Sequence, residues 1–105
     1  MTPAELKRVR VLLKRIRTLE CGIRAAHEPV QWRKENPQPS RRRYMFGYWD
    51  TVIARSERFL DAARVEMLSL WAQATPEDVS ALLQSRSQVI REGTIKSLVQ
   101  VPKSD

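Results

Sequence analysis

Residues 2–26, TPAELKRVRVLLKRIRTLECGIRAA, carry the clearest structural signal in the chain. Thr2 suits a helix N-cap, Pro3 suits the first helical position, and Glu5 completes a capping box with Thr2. Apolar residues then recur in steps of three and four, at Leu6, Val9, Leu13, Ile16 and Ile23. This spacing places them on one face of a helix, so the stretch predicts helix one over about residues 3–26.

Residues 27–40 interrupt that period and predict a connector. Pro29 lacks a backbone donor and clashes with the preceding turn, so we expect helix one to end before it. A second helix is expected over about residues 41–73, because apolar residues keep helical spacing there for four heptads. Its predicted apolar face comprises Met45, Trp49, Val52, Phe59, Leu60, Ala63, Met67, Leu70 and Trp71, with Ile53 on the flank.

Thr75 and Pro76 repeat the helix-start signal and predict a third helix over about residues 76–92. Gly93 would end that helix, and the tail at 93–105 would be extended or form one more helical turn. We therefore predict a single all-α domain, a small bundle of three main helices. Two helices are long, one is shorter, and a long proline-containing connector joins the first to the second.

The formal net charge of +7 is concentrated at the front of the 105-residue chain. Residues 1–27 carry +5 and residues 28–43 carry +3, whereas residues 44–74 carry −1 and residues 75–105 carry none. Such asymmetry is typical of proteins with a polyanionic partner, most often nucleic acid. The alternative is that the charge serves solubility alone.

Basic residues form a predicted ridge along helix one. At about 100° per residue, they share one stripe of the helix surface. The members of this stripe are Lys7, Arg10, Lys14, Arg17 and Arg24. Cationic groups on successive turns can meet several phosphates and release counterions, so the stripe predicts phosphate-directed binding. The alternative is a solvated helix face. Such a face usually carries both acidic and basic residues, whereas no acid stands among the basic residues of this one.

A second cationic cluster adjoins aromatic residues. Arg41, Arg42 and Arg43 precede four aromatic residues at 44–49, which is the composition of a groove for single-stranded nucleic acid. The candidate stacking residues are Trp32, Tyr44 and Tyr48. The alternative is that the aromatic residues at 44–49 pack at one end of the hydrophobic core. For Trp32, a position tucked onto the core is the favoured interpretation, because an exposed indole is costly.

Side chains suited to catalysis or metal binding are scarce. Cys21 and His27 are the single cysteine and the single histidine, and their spacing places them on different sides of a helix. They cannot supply a zinc shell, and no glycine pattern for a nucleotide is present. We expect no enzyme activity, no catalytic residue, no cofactor and no metal site.

The cysteine count and the distribution of apolar residues bear on the cellular location of the protein. A lone cysteine allows no intrachain disulfide and suits a reducing compartment. Residues 1–20 lack the apolar stretch of a signal peptide, and the longest uncharged run, 67–76, is too short to span a bilayer. We expect a cytoplasmic protein without a membrane partner, associated with the nucleoid if the source is bacterial.

These observations predict a non-catalytic protein that binds RNA or DNA with little sequence specificity, single-stranded or through its backbone. Such a role resembles, in general character, that of helical small subunits of RNA-guided CRISPR effector complexes and of phage or plasmid accessory proteins. The apolar face of helix two is longer than helix three can cover, which predicts docking to other subunits or homo-oligomerisation. The alternative function is a protein-binding adaptor or inhibitor that docks its basic face on an acidic protein.

Overall fold

The computed structural model describes residues 1–36 and 43–100, and for residues 43–46 and 100 the backbone alone. The described part is helical, which confirms the all-α class. The prediction of three main helices is wrong, because this part contains four. They are α1 (Pro3–Glu35), α2 (Arg43–Trp71), α3 (Pro76–Leu83) and α4 (Gln88–Gln100).

Capping boxes start α1 and α3 where the sequence predicts them. The Glu5 backbone N–H donates to Thr2 Oγ1 at 3.2 Å, and the Thr2 N–H donates to Glu5 Oε1 at 3.0 Å. Asp78 makes the same reciprocal pair with Thr75, at 3.2 and 3.0 Å. The α-amino group of Met1 also donates to Asp78 Oδ2 at 2.7 Å. These hydrogen bonds, that from Met1 first, lower the pKa of the Asp78 carboxyl.

Helix α1 continues through Pro29 to Glu35, so the predicted end at residue 26 and the connector at 27–40 are wrong over 27–35. A proline inside a helix removes one hydrogen bond at a cost of about 3 kcal/mol. Ala26, one turn before the proline, is 3% exposed, and Pro29 and Val30 are half-buried, so contacts on either side of the proline offset part of that cost. The helix closes at Asn36, whose backbone and side-chain N–H groups both donate to the carbonyl of the same residue, Trp32.

The predicted helix over 76–92 is broken after Leu83, and the predicted tail is largely helical. Serine hydroxyls cause the break because they accept backbone N–H groups that a continuous helix would use. Ser85 Oγ accepts from the Ser87 N–H at 3.2 Å, and Ser87 Oγ accepts from the Ile90 N–H at 3.4 Å. Gly93 therefore lies inside α4 and does not end a helix. Of the tail, residues 101–105 lie outside the described residues.

Helices α1 and α2 form an antiparallel hairpin. The Arg8 guanidinium donates twice to the Glu66 carboxylate, once at 2.9 Å, and the Arg15 guanidinium lies 5.8 Å from the centre of the Phe59 ring. From the first of these contacts to the second, the chain advances seven residues along α1 and goes back seven residues along α2, as antiparallel helices require. Helix α2 begins at 43 and ends at 71, close to the predicted 41–73.

The buried face of α2 differs from the prediction. Ile53, placed on the flank by the sequence, is 8% exposed, whereas Phe59, placed in the core, is 48% exposed. Phe59 lies instead at the edge that meets Arg15. The other buried residues of α2 are those predicted: Leu60, Ala63, Met67 and Trp71.

The main core lies at one end of the hairpin, where α3 and α4 cover it. It comprises Val9, Leu12, Leu13, Ala63, Met67, Trp71, Leu82 and Ile90. Gly93 allows α4 to approach α1 closely, since a Cβ there would lie 2.9 Å from Leu13 Cδ2. Thr94 is fully buried beside this contact, and its hydroxyl donates to the Ile90 carbonyl at 2.7 Å.

The molecule is elongated, with extents of 58 × 29 × 26 Å and a radius of gyration of 17.8 Å. A compact domain of this length would have a radius of gyration of about 13 Å. The difference arises because α1 is about 50 Å long and α4 only about 20 Å. At the end where α1 finishes and α2 begins, the hairpin lacks the cover of α3 and α4, and the buried apolar side chains among its described residues there are Ala26 and Ile53.

Candidate nucleic-acid interface

The cationic flank of α1 consists of the five basic residues that the sequence places on one stripe: Lys7, Arg10, Lys14, Arg17 and Arg24. The backbone is helical across all of them, so they occupy an arc of about 100° over about 26 Å. Arg10 is half-buried and the other four are exposed. The cationic flank therefore presents charged groups to solvent along half of α1.

None of these five side chains forms an ion pair with a carboxylate of residues 1–36 or 47–99. Arg8, on the opposite side of α1, does form an ion pair, with Glu66. The side-chain hydrogen bond between them raises the pKa of Arg8 and lowers that of Glu66. Arg8 is thus engaged within the fold, whereas the cationic flank keeps its charge available for another molecule.

The continuation of α1 past Pro29 sets a limit to the cationic flank. Glu28 follows Arg24 by four residues and Glu35 follows by eleven, so both acids fall on the same side of the helix. The expectation of a basic stripe without acids therefore holds only as far as Arg24. A polyanion would meet favourable charge from Lys7 to Arg24 and mixed charge beyond.

Trp32 and Tyr48, two of the candidate stacking residues, are 53% and 56% exposed. The favoured placement of Trp32 on the core is wrong, because α1 continues as a helix and turns this side chain outward. Trp32 follows Lys14 by eighteen residues, which is five helical turns, so it lies on the same line of α1. Tyr48 packs edge-on against Trp49, with ring centres 5.1 Å apart. Whether either ring stacks on a base stays a prediction.

The structure describes only part of the second cationic cluster, the arginines at 41–43. Arg41 and Arg42 lie outside the described residues. Arg43 and Tyr44 belong to the first turn of α2, with the backbone alone described. Their predicted roles in phosphate contact and base stacking therefore stay predictions.

A groove between α1, α2 and α4 gathers charged residues that the sequence analysis did not connect. Arg17 of the cationic flank lies at its rim, together with Arg64 of α2 and Lys96 of α4. The acids at the rim are Glu20 and Glu92. No periodic signal could have found this group, because its three cations come from three helices far apart in the sequence.

Comparisons of the chain with protein-family models, curated proteins and solved structures find no match. Within residues 1–36 and 43–100, no helix combines the length and the apolar character that crossing a bilayer requires.

Proposed function

We propose that the chain is a non-catalytic protein that binds RNA or DNA through the sugar–phosphate backbone, with little dependence on sequence. The observation that carries this proposal is the cationic flank, whose members have no ion-pair partner among the described carboxylates and of which four are exposed. Phosphates recur every few ångströms along a strand, so a cationic row about 26 Å long can meet several of them. Release of their counterions would supply most of the binding free energy.

A surface for protein contact supports a role as a small subunit of a larger nucleoprotein complex. Helix α4 exposes Ile95 by 55% and Val99 by 81%, and α2 exposes Val65 by 67%. Such apolar residues on outward faces suit contact with another protein chain. The second candidate function, a protein-binding adaptor or inhibitor, draws on these residues and uses the cationic flank for an acidic protein surface.

Salt dependence of binding tests the nucleic-acid proposal. A labelled single strand and its duplex would be titrated with the protein by fluorescence anisotropy across a salt series. The triple variant Lys7→Gln, Lys14→Gln, Arg17→Gln removes three charges of the cationic flank. For three lost phosphate contacts, the slope of log K against log salt should become shallower by about 2 units for a single strand and about 3 for a duplex.

A second triple variant, Arg55→Gln, Arg58→Gln, Arg86→Gln, is the matched control. It makes the same change in net charge at three exposed arginines outside α1. We expect its slope to stay within about one unit of wild type. Equal losses for the two triple variants would contradict a role for the cationic flank. Absence of binding to every polymer at low salt would reject the nucleic-acid proposal and favour the adaptor.

A further inference from the structure

We infer that the groove between α1, α2 and α4 is a binding site for a small organic carboxylate with an apolar body. The floor and walls carry the apolar side chains of Leu13, Ile16, Met67, Leu68, Trp71 and Val89. The site does not rest on the proposed nucleic-acid function: it shares Arg17 with the cationic flank, and its other lining residues lie outside that flank.

The size of the groove sets the size of the apolar body. Its volume is about 140 Å³. This is close to the ~150 Å³ of an engineered apolar cavity that binds benzene. A single aromatic ring or a short branched chain therefore fits, whereas larger ligands usually occupy sites of about 300 Å³ or more.

A buried donor without a partner points to an oxygen acceptor on the ligand. Trp71 is 6% exposed, and its indole Nε1–H has no acceptor among the described residues. Buried polar groups in native proteins nearly always have a partner, so an orphaned one needs an explanation. Trp71 lines the groove, but Nε1 itself has almost no accessible surface, so a ligand oxygen would supply the missing acceptor after a small shift of the indole or its neighbours.

The charges at the rim select an anion. Arg17, Arg64 and Lys96 outnumber Glu20 and Glu92, and none of the five forms an ion pair with another described residue. Glu92 accepts a hydrogen bond from Gln88 Nε2 at 2.7 Å, but this neutral donor leaves its charge in place, so three cations and two acids give the rim a net charge of +1. A carboxylate combines the negative charge and the oxygen acceptor in one group.

Benzoate is the test ligand, with benzamide as its neutral counterpart and acetate as the carboxylate without a ring. Heteronuclear NMR gives one indole N–H signal for each of the three tryptophans, and single Trp→Phe variants at Trp32 and Trp49 assign them. Benzoate should shift the Trp71 signal with a Kd of about 1 mM or lower. The Trp32 and Trp49 signals should not move, because neither residue lines the groove.

Rim variants separate recognition of charge from burial of the ring. Arg64→Met and Lys96→Met should each weaken benzoate binding by about 2- to 5-fold and leave benzamide binding unchanged. Arg86→Met and Lys34→Met are the matched controls, since both residues are exposed and lie away from the groove. All four changes affect exposed side chains, so the fold should persist.

Two results would overturn the inference. The first is the absence of a saturable Trp71 shift with benzoate at about tenfold the expected Kd. The second is a benzoate affinity equal to that of benzamide and unaffected by Arg64→Met and Lys96→Met. A variant that keeps Arg17 at the groove, Lys7→Gln with Lys14→Gln, separates the two sites: oligonucleotide binding should weaken while benzoate binding is retained, because neither residue lines the groove.

Discussion

Replacing Gly93 by alanine should leave stability unchanged or lower it, although alanine is the better helix former. A Cβ at Gly93 would lie 2.9 Å from Leu13 Cδ2 and 3.5 Å from Leu13 Cβ. Carbon atoms attract each other best at about 3.5–4.0 Å, so the Leu13 methyl group must move. Leu13 is 2% exposed, and a shift of its methyl group would disturb its packing in the core on one side and the wall of the groove on the other.

The expected magnitude follows from two opposing effects. Alanine in place of glycine inside a helix adds about 1 kcal/mol to the free energy of unfolding. Overpacking of a core contact costs about 1–3 kcal/mol, so the net change for Gly93→Ala is a loss of about 0–2 kcal/mol. Gly22→Ala is the matched control, because nothing lies within 4 Å of its Cβ position. It should raise the free energy of unfolding by about 1 kcal/mol.

Urea unfolding followed by far-UV circular dichroism would measure these changes, provided that the m-value stays constant. A double-mutant cycle with Leu13→Ala isolates the contact. Without the Leu13 methyl groups, Gly93→Ala should become stabilising by about 1 kcal/mol, which gives a coupling energy of about 1–3 kcal/mol. If Gly93→Ala stabilises the wild-type protein as much as Gly22→Ala does, the close approach of α1 and α4 is refuted.

Three further perturbations test the core, a capping box and the ion pair. Leu82 is fully buried, so Leu82→Ala should lower the free energy of unfolding by about 2–5 kcal/mol in the same urea assay; a smaller loss would contradict its burial. The pKa of the Asp78 carboxyl is lowered in the folded state. Its contribution to the free energy of unfolding is therefore complete above the unfolded-state pKa of about 3.9, and it is lost as the pH falls through the folded-state pKa. The stability gap between wild type and Asp78→Asn should therefore stay constant near neutral pH and close below about pH 4, and a gap that persists in acid would argue against the ionised form. The side chains of Arg8 and Glu66 are 46% and 42% exposed, so solvent screens their ion pair, Glu66→Gln should shift Tm only slightly, and calorimetry at high salt should find no difference.

The starts of α1 and α3 were predictable because their signals are local, whereas the start of α4 at Gln88 was missed. The threonine, the proline and the carboxylate of each capping box lie within four residues of one another, at Thr2 and again at Thr75. Helix ends depended on contacts between distant segments. Helix α1 continues through Pro29, which is half-buried and lies one turn after the buried Ala26, and α4 continues through Gly93, which lies against Leu13 of α1. The break after Leu83 has a local cause in Ser85 and Ser87, whose capping potential the sequence analysis did not use.

The cationic flank was predictable because its members repeat at helical spacing within one element. The orientation of α2 was not, since Ile53 and Phe59 are both apolar and lie on opposite edges of its apolar stripe. Tertiary packing turned Ile53 inward and left Phe59 beside Arg15. The groove could not be predicted from sequence periodicity either, because tertiary packing brings its walls together from separate helices.

The uneven cover of the α1–α2 hairpin implies uneven protection of its backbone amides. Where α3 and α4 pack, opening an amide to hydrogen exchange should require near-global unfolding, whereas turns near Ala26 and Ile53 should exchange through cheaper, local opening events. The cationic flank begins in the covered half and reaches Arg24, close to the less covered half. A polyanion bound along it would therefore slow exchange most in the turns that open first, and so couple occupancy of the surface to the rigidity of the hairpin.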